Sequence, residues 1–71
     1  MTVAFDDDSA TDSLYIWLRA GEAVDNRIAG DDVVIDIGHD GEPDGYDIQH
    51  ASRHADVIAQ ALGLLHRRHA A

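Results

Sequence analysis

Cysteine and lysine are both missing from this 71-residue chain, proline occurs once, and no long apolar run interrupts it. Without cysteine there is no disulfide and no thiolate metal centre. No stretch approaches the roughly 20 apolar residues that span a bilayer, so no membrane contact is expected. Met1 to Asp8 lacks an apolar core and turns acidic at once, so no secretory signal is expected and a cytoplasmic location is the default. No glycine-rich phosphate loop and no recognisable nucleophile motif occurs, which argues against an enzyme. The missing lysine excludes no function, because genomic base composition or a salty habitat suffices to explain it.

What the chain does have is acid. The net charge is −9, and it is unevenly placed: residues 1–52 hold thirteen acidic side chains against Arg19 and Arg27, a balance of −11. Residues 53–71 hold Asp56 against Arg53, Arg67 and Arg68, a balance of +2. A field of that sign repels phosphate, so direct nucleic-acid binding by the acidic part is not expected. The length allows one domain, residues 1–71, that buries only about 60% of its unfolded surface. Oligomerisation or a bound partner is the usual remedy for so small a core.

The stretch from Val33 to Ser52 sets the architecture. Val33-Val34-Ile35-Asp36-Ile37 alternates, turns at Asp40-Gly41, and returns as Tyr46-Asp47-Ile48 before Ala51-Ser52. Asp-Gly between two such runs signals a hairpin, because both residues tolerate a positive φ. Pro43 belongs at the start of the returning strand, where no ladder donor is needed. Ahead of it, Ser13 to Leu18 is dense in aromatic and β-branched residues, with Leu14, Ile16 and Leu18 on one face and Tyr15, Trp17 and Arg19 on the other. Thr2 to Phe5 forms a short first strand, and Ala23 to Ala29 a weaker one with Val24 and Ile28 on one face. The aspartates of Asp6 to Asp12 alternate as in a calcium loop, but the required glycine and glutamate positions hold Thr11 and Trp17. A solvated turn is expected there.

From Ser52 the period becomes helical. Ser52 serves as N-cap, and Ala55, Ile58, Ala61, Leu62 and Leu65 make an apolar stripe. Gly63 marks either a close approach to the sheet or a break. The fold expected is α+β: an antiparallel β-meander of four to five strands over about residues 2–50, with one C-terminal α-helix over about 52–69 packed on it.

Three segments carry a family resemblance. They are Asp12-Ser13-Leu14-Tyr15-Ile16 after an acidic turn, Val33 to Gly41 with its aspartate before Asp-Gly, and Gly45-Tyr46-Asp47-Ile48 followed by Ala51-Ser52. In order and spacing the chain resembles the bacterial and archaeal family catalogued as domain of unknown function 2283, over about residues 5–54. Tyr46 stands where an aliphatic residue is usual and Asp47 where glutamate is usual, and residues 55–71 lie beyond the shared core. The family has no established activity. Some of its genes are similar in placement to the acidic partner of toxin–antitoxin pairs, which implies a protein-binding role.

The candidate chemistry is therefore weighed as recognition. Two aromatics on the second face of a strand point to another packing partner, and Asp36 and Asp47 fall on that same face of adjacent strands. They form either a like-charge couple or sites for an arginine, from a partner or from Arg19 or Arg27. Tyr15, Trp17, Asp36 and Asp47 are thus the expected partner-binding residues, with no catalytic residue, no metal site and no cofactor. His50 and His54, four apart, and His66 and His69, three apart, suit a metal on a helix, but each pair supplies only two ligands. The function expected is a small protein-interaction module, antitoxin-like, whose partner is a basic protein encoded nearby. A homo-oligomer, most simply a dimer, is expected in its absence. The alternatives are a metal-binding or hydrolytic protein using the histidines and aspartates, and a purely homo-oligomeric structural protein.

Overall fold

The computed structural model describes residues 5–69, and the side chains of residues 7–67. Five strands, β1 (Phe5–Asp8), β2 (Ser13–Trp17), β3 (Asp25–Ile28), β4 (Val33–Ile37) and β5 (Pro43–Ile48), form one sheet in the order β1-β2-β5-β4-β3. All four pairings are antiparallel. A 3₁₀ turn at Ala51–Arg53 then leads into helix α1 (Ala55–His69). The α+β architecture expected from the alternation is the one found.

The strand order follows from what each strand can bury. β5 is the strand whose residues are most consistently shielded, and it takes the centre between β2 and β4. β1, Phe-Asp-Asp-Asp, and β3, Asp-Asn-Arg-Ile, carry charges and take the edges. Two local pieces, the β1–β2 hairpin and the β3–β4–β5 meander, are thereby joined where β5 docks beside β2. Asp6 to Asp8 lie in β1 rather than in the expected solvated turn, because pairing with β2 sets Asp7 against Leu14 and Asp8 against Ser13. The expected strand at Thr2 to Phe5 falls, but for Phe5, outside the described residues.

One face of the sheet is covered by α1. Ile16, Leu18, Val33, Tyr46, Ile48, Ala51 and Ala61 form the buried core, with Leu14, Ile35, Val57, Ile58, Leu64 and Leu65 packed around it. Burying that set removes most of the aliphatic surface from water, at about 1.5–3 kcal/mol per large side chain. Tyr46, in the aliphatic position of the family pattern, is buried with the rest.

The helix differs from expectation in two respects. It begins at Ala55, because Ser52 is engaged elsewhere: its N–H and hydroxyl donate to the Asp12 carboxylate at 3.1 and 2.6 Å. Its inner stripe is Val57, Ile58, Ala61, Leu64 and Leu65, while Ala55 is exposed and Leu62 is 42% exposed. That set is a two-turn stripe centred on Ala61, whose small, fully buried side chain is where helix and sheet approach. Gly63 marks neither contact nor break. The helix runs through it, and a Cβ there would meet no neighbour within 4 Å.

Candidate protein-interaction face

The opposite face of the sheet collects the residues that alternate with the core. Across it, Ile28, Val34, Asp47 and Tyr15 lie in one row, and Asn26, Asp36, Gly45 and Trp17 in the next. All four expected partner-binding residues therefore share this face. Among the described residues no element packs over it.

Gly45 is what makes the arrangement possible. Tyr15 crosses the strand between β2 and β4 by lying over Gly45, and a Cβ there would collide with the phenol ring and hydroxyl. Having crossed, the Tyr15 hydroxyl donates to Asp36 Oδ2 at 2.5 Å. Partial burial and the Asp36 carboxylate, with Asp47 and Asp44 nearby, push the Tyr15 phenol well above its ordinary value of 10.0. The Trp17 ring sits 4.6 Å from Tyr15, tilted 56°, and remains 42% exposed. A tilted aromatic pair is favoured over a face-to-face sandwich.

Asp36 and Asp47 do not face each other directly. Asp36 is opposite Asn26 and Gly45, and Asp47 opposite Val34 and Tyr15, so they stand diagonally. Neither Arg19 nor Arg27, the two arginines this chain could offer, reaches them. Asp36 is met by a phenol instead, and Asp47 accepts a bond from Gln49 Nε2 at 3.2 Å. Arg27 is opposite Ile35 and thus on the other face.

Arg19 is held at the β4–β5 hairpin. It donates to both carboxylate oxygens of Asp40, to Asp44, and to the Glu42 carbonyl at 3.3 Å. The guanidinium holds the Asp40 carboxyl well below the usual carboxylate range. Asp44 is the extra residue of a β-bulge: Asp36 pairs with Gly45 but Ile37 with Pro43. The bulge turns Asp44 inward onto Arg19, which leaves it buried but paired. The hairpin closes through Gly38 N–H to Glu42 C=O and Gly41 N–H to Gly38 C=O. Only Gly41 of the Asp-Gly pair has a positive φ, 80°, so the turn is a longer loop with one left-handed residue.

Two further aspartates tether the helix start. Asp12, in the left-handed region at φ 55°, accepts from Ala51 N–H with its carbonyl and from Ser52 with its carboxylate, which lowers its pKa. Asp32 lies between two imidazoles: His54 Nε2 donates to Oδ2 at 2.8 Å and His50 Nδ1 to Oδ1 at 3.0 Å. Those bonds, His54 first, hold the Asp32 carboxyl below its ordinary value. The sequence pair His50/His54 is thus brought together, but by a carboxylate and on opposite oxygens. Among the described residues no group of three or more histidines and acids is placed to hold a metal ion. The side chain of His69 lies outside the described residues.

Sequence reasoning missed Gly45, Asp12, Asp32 and the Arg19–Asp40–Asp44 set. A glycine inside a strand signals close approach, so Gly45 was open to discovery; the aspartate tethers join distant segments and left no local pattern.

The site's main residues, Gly45 included, fall in one stretch with a recognised pattern: residues 8–52 match the family described as protein of unknown function, DUF2283. The chain belongs to the DUF2283 family. No curated protein and no solved structure shows a match to it. The match in this DUF2283 protein takes in β2 to β5 and most of the 3₁₀ turn, while α1 lies beyond it. A concavity of about 380 Å³ is on the helix side and lined by Leu14, Ile16, Ile58 and Leu62 with Asp7 and Asp12. The aromatic and acidic residues lie instead on the exposed sheet face. No helix among the described residues is long and apolar enough to cross a membrane.

Proposed function

We propose that this DUF2283 protein is a recognition module that binds a basic protein surface through the open face of its sheet. It acts as an acidic antitoxin acts on a basic toxin encoded nearby, and does no catalysis of its own. The observation that carries the proposal is the half-exposed Trp17 set at a tilt against a Tyr15 already fixed to Asp36, with Asp47 beside it and the face uncovered. An arginine of the partner stacks on Trp17, a contact of about 0.5–1 kcal/mol at exposed sites. Its guanidinium meets the carboxylates in the same approach. Because Tyr15 is held in place before binding, little side-chain freedom is lost on contact.

The balance of −11 over residues 1–52 supports the same reading, since it raises the encounter rate with a basic protein and repels nucleic acid. A second copy fits this face less well, because stacking two such faces sets aspartates against aspartates. The test is affinity purification of the tagged protein from its own cell, with kinetics on the captured partner. A basic protein is expected, with an on-rate that falls as salt rises. The double variant Asp36→Lys/Asp47→Lys should lose it while keeping the far-UV circular dichroism of the fold. Recovery of no basic protein, or undiminished binding by the double variant, would sink the proposal.

A further inference from the structure

The edge strand β3, Asp25–Ile28, follows Val24, and Val24-Asp25-Asn26-Arg27-Ile28 is complementary to itself when reversed: apolar, acid, amide, base, apolar. Every residue of it is exposed. Ile28 and Val24, at 75% and 52%, are the most exposed large apolar side chains among the described residues. The edge has no proline and no lysine; its charges are Asp25 and Arg27, of opposite sign and therefore able to pair with a second copy. We propose that two copies of this chain pair through β3, antiparallel about Asn26, so that their sheets become one. This inference does not rest on the proposed partner of the open face.

The main chain is set for it. Ala29 N–H donates to Val33 C=O at 2.9 Å, so Ala29, Arg27 and Asp25 are the positions bonded to β4. By alternation, Asn26 and Ile28 turn their N–H and C=O groups to the open edge. In the single chain the Asn26 N–H donates to Asp25 Oδ1 at 2.8 Å. With a two-fold axis at Asn26 it exchanges that bond for the Asn26 carbonyl of the other copy, which releases the Asp25 carboxylate to meet Arg27. Each Ile28 N–H then faces the Val24 carbonyl of the other copy. The Val24 N–H already donates to Ile37 C=O at 2.9 Å, and this pairing needs only the Val24 carbonyl.

The side chains choose the same register. Ile28 lies opposite Val34 and Arg27 opposite Ile35, so Asn26 and Ile28 emerge on the open face and Asp25 and Arg27 on the helix side. An axis at Asn26 sets Asp25 against Arg27 twice and the Asn26 amides against each other, with each Ile28 level with the other copy's Val24. An axis at Asp25 or Arg27 sets like charges opposite. An axis between Asn26 and Arg27 puts Asp25 against Ile28, and one between Asp25 and Asn26 puts Val24 against Arg27. Only one register satisfies every pair, as cross-strand pairing requires. In it both open faces look to the same side.

Sedimentation equilibrium of the full chain tests this. The wild type is expected to dimerise with a micromolar constant, as suits a small interface. Asp25→Arg and Arg27→Asp, each alone, set like charges across the axis and should weaken the dimer about tenfold or more. An equimolar mixture of the two variants makes every pair complementary again and should restore association. Asn26→Pro removes an N–H that points off the sheet, so it should spare the β3–β4 ladder, checked by circular dichroism, and abolish the dimer. Trp17→Ala should leave the dimer intact. A wild type that stays monomeric to high micromolar concentration overturns the proposal, as does a dimer that survives Asn26→Pro or the single charge changes. So does a mixture that fails to reassociate.

Discussion

The two faces of one sheet are built from the same strands and differ in almost everything else. On β2, Ile16 is fully buried under α1 while its neighbour Trp17 is 42% exposed on the other side. On β5, Tyr46 and Ile48 lie in the core while Gly45 and Asp47 form the floor and flank of the open face. The covered face is held by packing, where each side chain's contribution depends on volume and fit. The open face is held by a few directed contacts, Tyr15 to Asp36 above all, and contributes little to burial. The difference teaches that a chain this small stabilises itself through one face and leaves the other free to specialise.

The sharpest way to break that comparison is to truncate one residue on each side. Ile48→Ala, at a fully buried position in the central strand, should cost about 2–5 kcal/mol. Total stability for a domain of this length is about 4–10 kcal/mol, so the variant should be largely unfolded or close to it. Trp17→Ala, although it removes more atoms, should cost about 1 kcal/mol or less because its surface is half solvated already. Urea titrations of the two variants measure the difference, and near-equal losses would show that the open face is structural.

How much of this was legible in the sequence depends on how local each feature is. The alternation of Leu14, Ile16 and Leu18 with Tyr15 and Trp17 assigns residues to faces by period alone, and those assignments hold. So does the face shared by Asp36 and Asp47. The start of α1 was not legible, because Ser52 has the chemistry of an N-cap but is captured by Asp12, forty positions earlier in the chain. Arg19 is one of the arginines, with Arg27 or one from a partner, that the sequence offers to Asp36 and Asp47; a bulge at Asp44, set by one extra residue in β5, draws it to the hairpin instead. The strand identity of Asp6 to Asp8 was hidden because aspartate disfavours strands, and edge pairing with β2 overrides the propensity. Long-range captures of this kind carry no periodic signal.

A smaller effect probes how the open face is organised. Gly45→Ala places a methyl group where the Tyr15 ring lies, so the phenol must swing off its platform and release Asp36. The cost should be about 1–3 kcal/mol, the usual range for a side chain forced from its place. Tyr15→Ala in the same chain removes the collision, so the two changes together should cost less than their sum, with a coupling of about 0.5–3 kcal/mol. A double-mutant cycle by urea denaturation measures it. Additive losses would mean that Tyr15 does not rest on Gly45.

The smallest effect is the most selective, and it appears at alkaline pH. With neither lysine nor cysteine in the chain, tyrosine is the only side-chain type that loses its proton between about pH 9 and 12. The folded chain holds the Tyr15 phenol protonated, first because it is partly buried and then because its proton is shared with Asp36. Its folded pKa therefore lies above its unfolded value of 10.0. A group raised in this way gives its full stabilisation below the unfolded pKa, and that contribution is lost as pH rises through the folded one. Stability of the wild type should accordingly decline above about pH 10, and Tyr15→Phe, which has no proton to lose, should show a shallower decline. Because Tyr15 is only partly buried, solvent screening keeps the difference small. Urea midpoints measured from neutral pH to about pH 12 compare the two chains. Parallel curves would show that Asp36 does not hold the Tyr15 proton, and would remove the fixed anchor on which recognition by the open face depends.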